Sequence, residues 1–281
     1  KGGVVTHLEN MWNYAAGIPH PFPRFEGHGL SLIPCKSALW LDHSGQRIGP
    51  EPLVTGFDTH DMCGRLSAME KSWSWQVLNW RIAAREFAIS GADHNPHIRD
   101  SRSISFLKET LFGNHRLVRQ MQEESDHFIV ADTLPELVAE MNALNGDDLV
   151  QLDHVAAAIQ GFDDNVRRGP AQWNDDQIRR IVHARAWRSD RIRTCKPKPM
   201  LEHGPLIAIK LHLITRKSLG GIQTDLESRA LDRSGEPIDG LYAIGEAAGF
   251  GGGGASGKRS LEGTFLSGCI LTARAAVDSL D

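Results

Sequence analysis

The sequence predicts an α/β protein that reads as α+β within these 281 residues. Three observations carry that prediction. The first third is rich in short apolar runs broken by Gly and Pro, the middle has apolar stripes at helical spacing, and the last third passes from strands through a glycine run into a helix. The natural divisions are a strand-rich part over 1–80, a helical segment over 81–200 and a C-terminal segment over 201–281.

Composition narrows the classes. Hydrophobic residues make up 41% and charged residues 23%, which suits a globular chain with a buried core. With 31 basic residues against 35 acidic and a net charge of -4, no general nucleic-acid binder is expected. No apolar run approaches the roughly 20 residues that cross a bilayer. Cys35, Cys63, Cys195 and Cys269 are scattered without a CxxC pair, so free thiols and a cytoplasmic location are expected. There is no HExxH among the 13 histidines, and His94 and His97 fall in an Asn-Pro stretch that reads as loop, so no metal site is expected.

Taken in order, Ser37 to Ile48 reads as a hairpin turning at His43-Ser44-Gly45. Trp73, Trp75 and Val77 alternate with Ser74 and Gln76, the pattern of a half-buried strand. A helix is expected over Arg81–Ser90, stopping at Gly91. Thr133 and Glu136 have capping-box spacing, followed by a stripe of Leu134, Leu137, Val138, Met141 and Leu144. After Asn145-Gly146-Asp147 a second stripe runs through Leu152, Val155, Ile159, Phe162 and Val166, and both read as core-facing helices. Residues 173–198 show no clean period. Further on, Leu206–Leu213, Gly220–Asp225 and Ala230–Asp232 read as strands, and Gly240–Glu246 as a buried strand ending in a carboxylate. The run from Gly249 to Gly257 precedes a helix over about 263–280.

A glycine-rich turn between strand and helix lets a ligand touch backbone amides, and the helix N-terminus favours negative charge. Two ligands compete for this one. Gly252 to Lys258 follows P-loop spacing, but Arg259 stands where Ser or Thr should meet magnesium. The alternative is a flavin, with Glu246 accepting from a ribityl hydroxyl and helix amides at the pyrimidine edge. A plain flexible linker is the third possibility.

Gly240-Leu-Tyr-Ala-Ile-Gly-Glu-Ala-Ala-Gly249, with Arg259 and Glu262-Gly263-Thr264, resembles the C-terminal flavin segment of the fumarate reductase and succinate dehydrogenase flavoprotein superfamily. Within it the chain looks most like bacterial FAD-binding dehydrogenases related to the 3-ketosteroid dehydrogenases. Thr215–Asp225, Ala131–Leu137 and Ser37–Asp42 extend the resemblance over about Met11 to Ala276. It implies the C-terminal part of a doubly wound FAD-binding domain, with hydride moving between flavin N5 and a carbon of a small organic substrate. No GxGxxG occurs, and Lys1 reads as a mid-protein start. An N-terminal dinucleotide unit is thus expected elsewhere, on a preceding portion or a complementary chain. A non-catalytic piece that needs a flavoprotein partner is the second reading.

By resemblance, Glu246, Gly251, Gly252, Gly253 and Gly254, with the amides of Thr264, Phe265 and Leu266, meet the flavin. Arg259 matches an arginine that grips a substrate carboxylate in the reductases. Lys217 stands where they carry a histidine, and His20 falls at their histidine-proline pair. No arginine lies near Gly56-Phe57-Asp58, where the reductases place their proton donor. Fumarate is therefore not the expected substrate.

Overall fold

The computed structural model describes residues 2–54, 59–249 and 264–280, and only the backbone of residues 216, 217 and 264. Strands are β1 Val5–Thr6, β2 Met11–Pro19, β3 Gly29–Ile33, β4 Leu39–Leu41, β5 Trp73–Asn79, β6 Ala88–Ile89, β7 Phe128–Ala131, β8 Leu206–Ser218, β9 Gly221–Ile222, β10 Arg229–Leu231 and β11 Pro237–Tyr242. Helices are α1 Thr59–Ser67, α2 Trp80–Glu86, α3 Pro96–Arg99, α4 Ser103–Phe112, α5 His115–Glu124, α6 Leu134–Asn145, α7 Leu152–Arg168, α8 Asp176–Ala184, α9 Arg188–Arg193 and α10 Thr264–Asp278. The mixture of helices and sheets is the one the sequence predicts.

The chain forms two units. The larger comprises Ala15–Phe57 and Gly64–Ile214, the smaller Lys1–Tyr14, Asp58–Cys63 and Thr215–Asp281. Strands β2 and β8 pass from one set of residues to the other.

In the larger unit the strand order is β4-β5-β8-β2-β3-β6, with β7 also on β8. Pairs β4–β5, β5–β8, β7–β8, β2–β3 and β3–β6 are all antiparallel. The hairpin forms as expected: Asp42 Oδ1 accepts from the amides of Ser44 and Gln46, and the Ile48 amide donates to the Trp40 carbonyl. Strand β5 appears where alternation predicts it, but residues 74–79 are all buried rather than half-buried. The polar positions are accommodated by bonding: Gln76 donates to the Cys35 carbonyl, and Asn79 accepts from the Ile82 amide while donating to Met200 O. Helix α2 contacts β5 and α7 contacts its neighbour β4, so the strand lies inside the packed unit.

The helix expected over 81–90 ends early, at Glu86. Phe87 turns extended, and Ala88 and Ile89 pair with Ile33 and Leu32 instead. Burying Phe87 and Ile89 at that sheet edge outweighs local helix propensity. Helices α6 and α7 bury Leu137, Val138, Met141, Val155, Ile159 and Phe162. The capping box is complete, with Thr133 Oγ1 accepting from Glu136 N and Glu136 Oε2 from Thr133 N. Leu152 lies on the exposed side, where the stripe has no partner. Residues 173–198 hold α8, capped by Asp175, and α9. His94 and His97 flank and enter the short helix α3 rather than a plain loop.

In the smaller unit β1 pairs β9, and β10 pairs β11. The buried strand expected over Gly240–Glu246 is shorter: β11 stops at Tyr242 and is half-exposed. It has one partner strand, and a two-stranded ribbon leaves a face to solvent. Residues Gly245–Ala248 form a 3-10 turn. Backbone meets backbone here: a Cβ on Gly221 would strike the Gly249 amide and the Ala248 carbonyl carbon, and one on Gly249, at φ 69°, would lie 2.5 Å from the Gly220 carbonyl carbon. Among the described residues no helix is long and apolar enough to cross a membrane.

Candidate functional site

The expected cofactor contacts fall in the smaller unit. Glu246 occupies the 3-10 turn with its side chain exposed. The turn is seated on α10: the Gly245 amide donates to Thr272 Oγ1 at 2.8 Å, and Cys269 Sγ stands 2.9 Å from where a Gly245 Cβ would be. Glu246 is therefore fixed to the helix whose first turn begins at Thr264. Phe265 stacks on Trp12, with ring centroids 4.6 Å apart. Trp12 is buried, and its indole Nε1 has no hydrogen-bond partner among the described residues.

Thr264, Phe265 and Leu266 do open a helix, and at fifteen residues α10 is long enough to present a positive N-terminus. Leu266 is exposed. Glu246 as an acceptor for hydroxyls and the amides that open α10 as donors are chemistry suited to a flavin's polar edge. Gly251, Gly252, Gly253, Gly254 and Arg259 lie outside the described residues, as do Lys258 and Gly56-Phe57-Asp58. Lys217 is on β8, with its backbone alone described.

His20 lies in the larger unit, on a loop between β2 and β3. The loop closes through the His20 amide on the His28 carbonyl and the His28 amide on Phe25 O. The two imidazoles stack at 4.3 Å and 11°, and Phe25 also stacks on His28. Each Nδ1 accepts a backbone amide: His20 from Phe22 N at 3.0 Å, His28 from Arg24 N at 3.2 Å. Both neutral rings therefore carry their proton on Nε2. Burial, then the charges of His28, His94 and Arg24, hold His20 below its ordinary pKa, against an opposing pull from Asp93.

These residues line a cavity of about 670 Å³ with Pro19, Arg24, His212 and Ile214. Its floor is apolar: Ile214 packs where Gly17 and Gly29 would carry a Cβ. Burial first, then His127 and Lys210, push His212 down to about 4, so it stays neutral. The cavity thus offers two fixed N–H donors over an apolar floor, suited to a neutral oxygen on an apolar body. His28 was not singled out from sequence. The available signal was a second histidine closing a Pro- and Arg-containing loop between two strands.

The remaining histidines and thiols add no centre. Cys35, Cys63, Cys195 and Cys269 are free, and among the described residues no group of three or more potential ligands is placed to hold a metal.

The chain is 43% identical to a KsdD-like steroid dehydrogenase of Mycobacterium tuberculosis over 281 aligned residues, covering 98% of this chain and 49% of that protein. It thus spans about half the length of the curated relatives it matches. The crystal structure of 3-ketosteroid delta1-dehydrogenase from Sterolibacterium denitrificans, in complex with 1,4-androstadiene-3,17-dione, matches 99% of this chain and 44% of its own, with a TM-score of 0.58 and 14% identity. The open conformation of a flavocytochrome c3 fumarate reductase matches with a TM-score of 0.52 and 15% identity, over 99% of this chain and 37% of that one. At those identities the structural matches speak for the fold. Residues 3–266 match the FAD binding domain family, with FAD as its cofactor, and the chain belongs to that family.

Proposed function

We propose that this chain is the C-terminal part of an FAD-dependent dehydrogenase acting at a carbon–carbon bond of an apolar ring ketone of the steroid class. The observation that carries the reading is the 43% identity to a steroid dehydrogenase over nearly the whole chain. The apolar cavity around His20 and His28 supports it, because a fused-ring ketone needs greasy walls and a few oriented donors.

Bound FAD would supply the hydride acceptor, at N5. The chain's own residues do the rest. Glu246 would accept from a ribityl hydroxyl and the amides of 264–266 would donate to the pyrimidine oxygens, and Gly251, Gly252, Gly253 and Gly254 are side-chain-free residues that would suit close approach. Helix dipole and amides there favour negative charge. Arg259 and Lys217 supply positive charge for substrate oxygens. His20 holds or moves a proton at Nε2, since its Nδ1 is taken by the Phe22 amide. A dinucleotide portion carrying GxGxxG, on the same polypeptide or a second chain, completes the cofactor site. Leu266, Ile270, Leu271 and Val277 of α10, all exposed, suit burial against it. A cytoplasmic setting suits the four free thiols.

The test uses the polypeptide that carries this sequence, purified and scanned for a flavin band. It is then assayed for dye reduction with a 3-ketosteroid and, separately, for fumarate turnover. Flavin colour with ketosteroid-dependent dye reduction is expected. Colourless protein at saturating FAD, or efficient fumarate turnover with none on ketosteroids, overturns the reading.

A further inference from the structure

A second cavity in the larger unit, of about 520 Å³, carries an unusual balance of charge. Arg81, Arg85, Arg185 and Lys196 line it together with His115 and His203, and no carboxylate does. None of those four cations makes an ion pair among the described residues. Their hydrogen bonds go to backbone carbonyls: Arg81 to Lys196 O at 3.5 and 3.4 Å, Arg85 to Leu111 O, and Arg185 to the carbonyls of Arg191 and Thr194.

The nearest acids are engaged elsewhere. Glu86 accepts from the amides of Ser37 and Cys195 and from Ser37 Oγ. Asp163 accepts from the Met200 amide, and Glu202 pairs with Arg167. The wall also holds polar atoms without partners: Arg81 Nε, His203 Nε2 and, on a fully buried residue, Thr194 Oγ1. Buried polar groups are normally bonded, so three orphans in one wall mark unmet polarity. Burial first, then the charges of Arg81 and Lys198, hold His203 below its ordinary pKa, against an opposing pull from Glu202 and Asp163.

One wall is aromatic. The Trp80 and His115 rings lie edge to edge and nearly parallel, at 20° with centroids 6.4 Å apart, and Trp80 Nε1 donates to His115 Nδ1 at 2.9 Å, leaving the His115 proton on Nε2. Phe112 stands exposed beside them. Clustered guanidiniums without carboxylates match a phosphate's oxygens, and a flat aromatic surface matches a ring.

We infer that this cavity binds the phosphate groups of a small ring-bearing molecule of the nucleotide class, at a site separate from the flavin contacts. The phosphates lie among Arg81, Arg85, Arg185 and Lys196, and the ring lies against Trp80. The inference does not depend on the steroid reading.

The experiment titrates ADP and inorganic pyrophosphate into the polypeptide carrying this sequence, loaded with FAD beforehand and freed of unbound FAD by gel filtration. Binding is read by calorimetry and by quenching of tryptophan fluorescence. ADP is expected to saturate a single site and to bind at least threefold tighter than pyrophosphate. Lys196→Glu, at an exposed position where folding should not suffer, is expected to weaken ADP by about tenfold or more while the melting temperature holds. Arg81→Gln gives a second reading from another element. No saturable binding of ADP, pyrophosphate binding as tightly as ADP, or unchanged affinity in both variants would overturn the proposal.

Discussion

The two units are held together by different physics. In the larger one, Trp40, Trp75, Phe162, Leu39, Leu41 and Leu78 are buried almost completely, and stability comes from apolar area removed from water. The smaller one is tied by backbone: Val4 donates to Leu231 O, Gln223 to Val4 O, Leu231 to Gln223 O, and glycines at 220, 221 and 249 let main chains touch. It also leaves Leu226, Leu266, Leu271 and Val277 more than half exposed. The larger unit is thus the more sensitive to lost side-chain volume, and the smaller one to a methyl added where its main chains touch.

Phe162→Ala tests the first half of that contrast and should have the largest effect. Removing a fully buried ring from α7 costs about 3–5 kcal/mol, read as a lowered denaturation midpoint. Gly221→Ala tests the second half. The added methyl meets the backbone of Ala248 and Gly249, not a side chain that could turn away, so overpacking of about 3 kcal/mol is expected in the smaller unit. The discriminating readout is flavin: Gly221→Ala should lose bound FAD while the larger unit's near-UV signal persists. Equal loss of both signals in both variants would break the comparison.

What could be read from sequence follows the same divide between local and non-local forces. The hairpin at 37–48, the capping box at Thr133 and the apolar faces of α6 and α7 depend on neighbours a few residues apart, and each is visible in the spacing. The early end of α2 was not, because Ala88 and Ile89 are recruited by β3, more than fifty residues earlier. The double-sided burial of β5 was hidden for a similar reason: Ser74 and Gln76 look solvent-facing until distant carbonyls and helices cover them. Helix α8 was missed although Ile178, Ile181 and Ala184 are spaced for it, because charged residues between them obscure the period. In the smaller unit the start of α10 was legible from the glycine run, while the 3-10 turn that carries Glu246 was not. Nor was His28, whose stacking on His20 exists only once the loop brings the two rings together.

Glu86 probes the larger unit electrostatically. Burial raises its pKa above the ordinary 4.5, against hydrogen bonds from Ser37 and Cys195 that lower it. The folded state then holds this proton to higher pH than the unfolded chain. Stability from this group should fall as pH rises from about 4.5 through the folded pKa, and level off above it. Glu86→Gln should flatten that slope in urea midpoints taken between acid and neutral pH. It also sets an amide N–H₂ against one of the present donors, at a cost of about 1–2 kcal/mol. A slope that survives the substitution would assign the titration elsewhere.

Thr133→Ala is the smallest change and the most local. It removes the side chain that accepts from Glu136 N, and frees Glu136 from its return bond to the Thr133 amide. Cap losses of this kind cost about 1 kcal/mol. Helix α6 is anchored by Leu137, Val138 and Met141, all buried, so the loss should appear as fraying of its first turn rather than melting of the unit. Amide exchange should quicken at Glu136 and Leu137 and stay unchanged at 141–145, with FAD content untouched. If exchange quickened along the whole helix, burial would not be what holds α6 in place, and the account of the larger unit as stabilised by its core would fail at its most sequence-legible element.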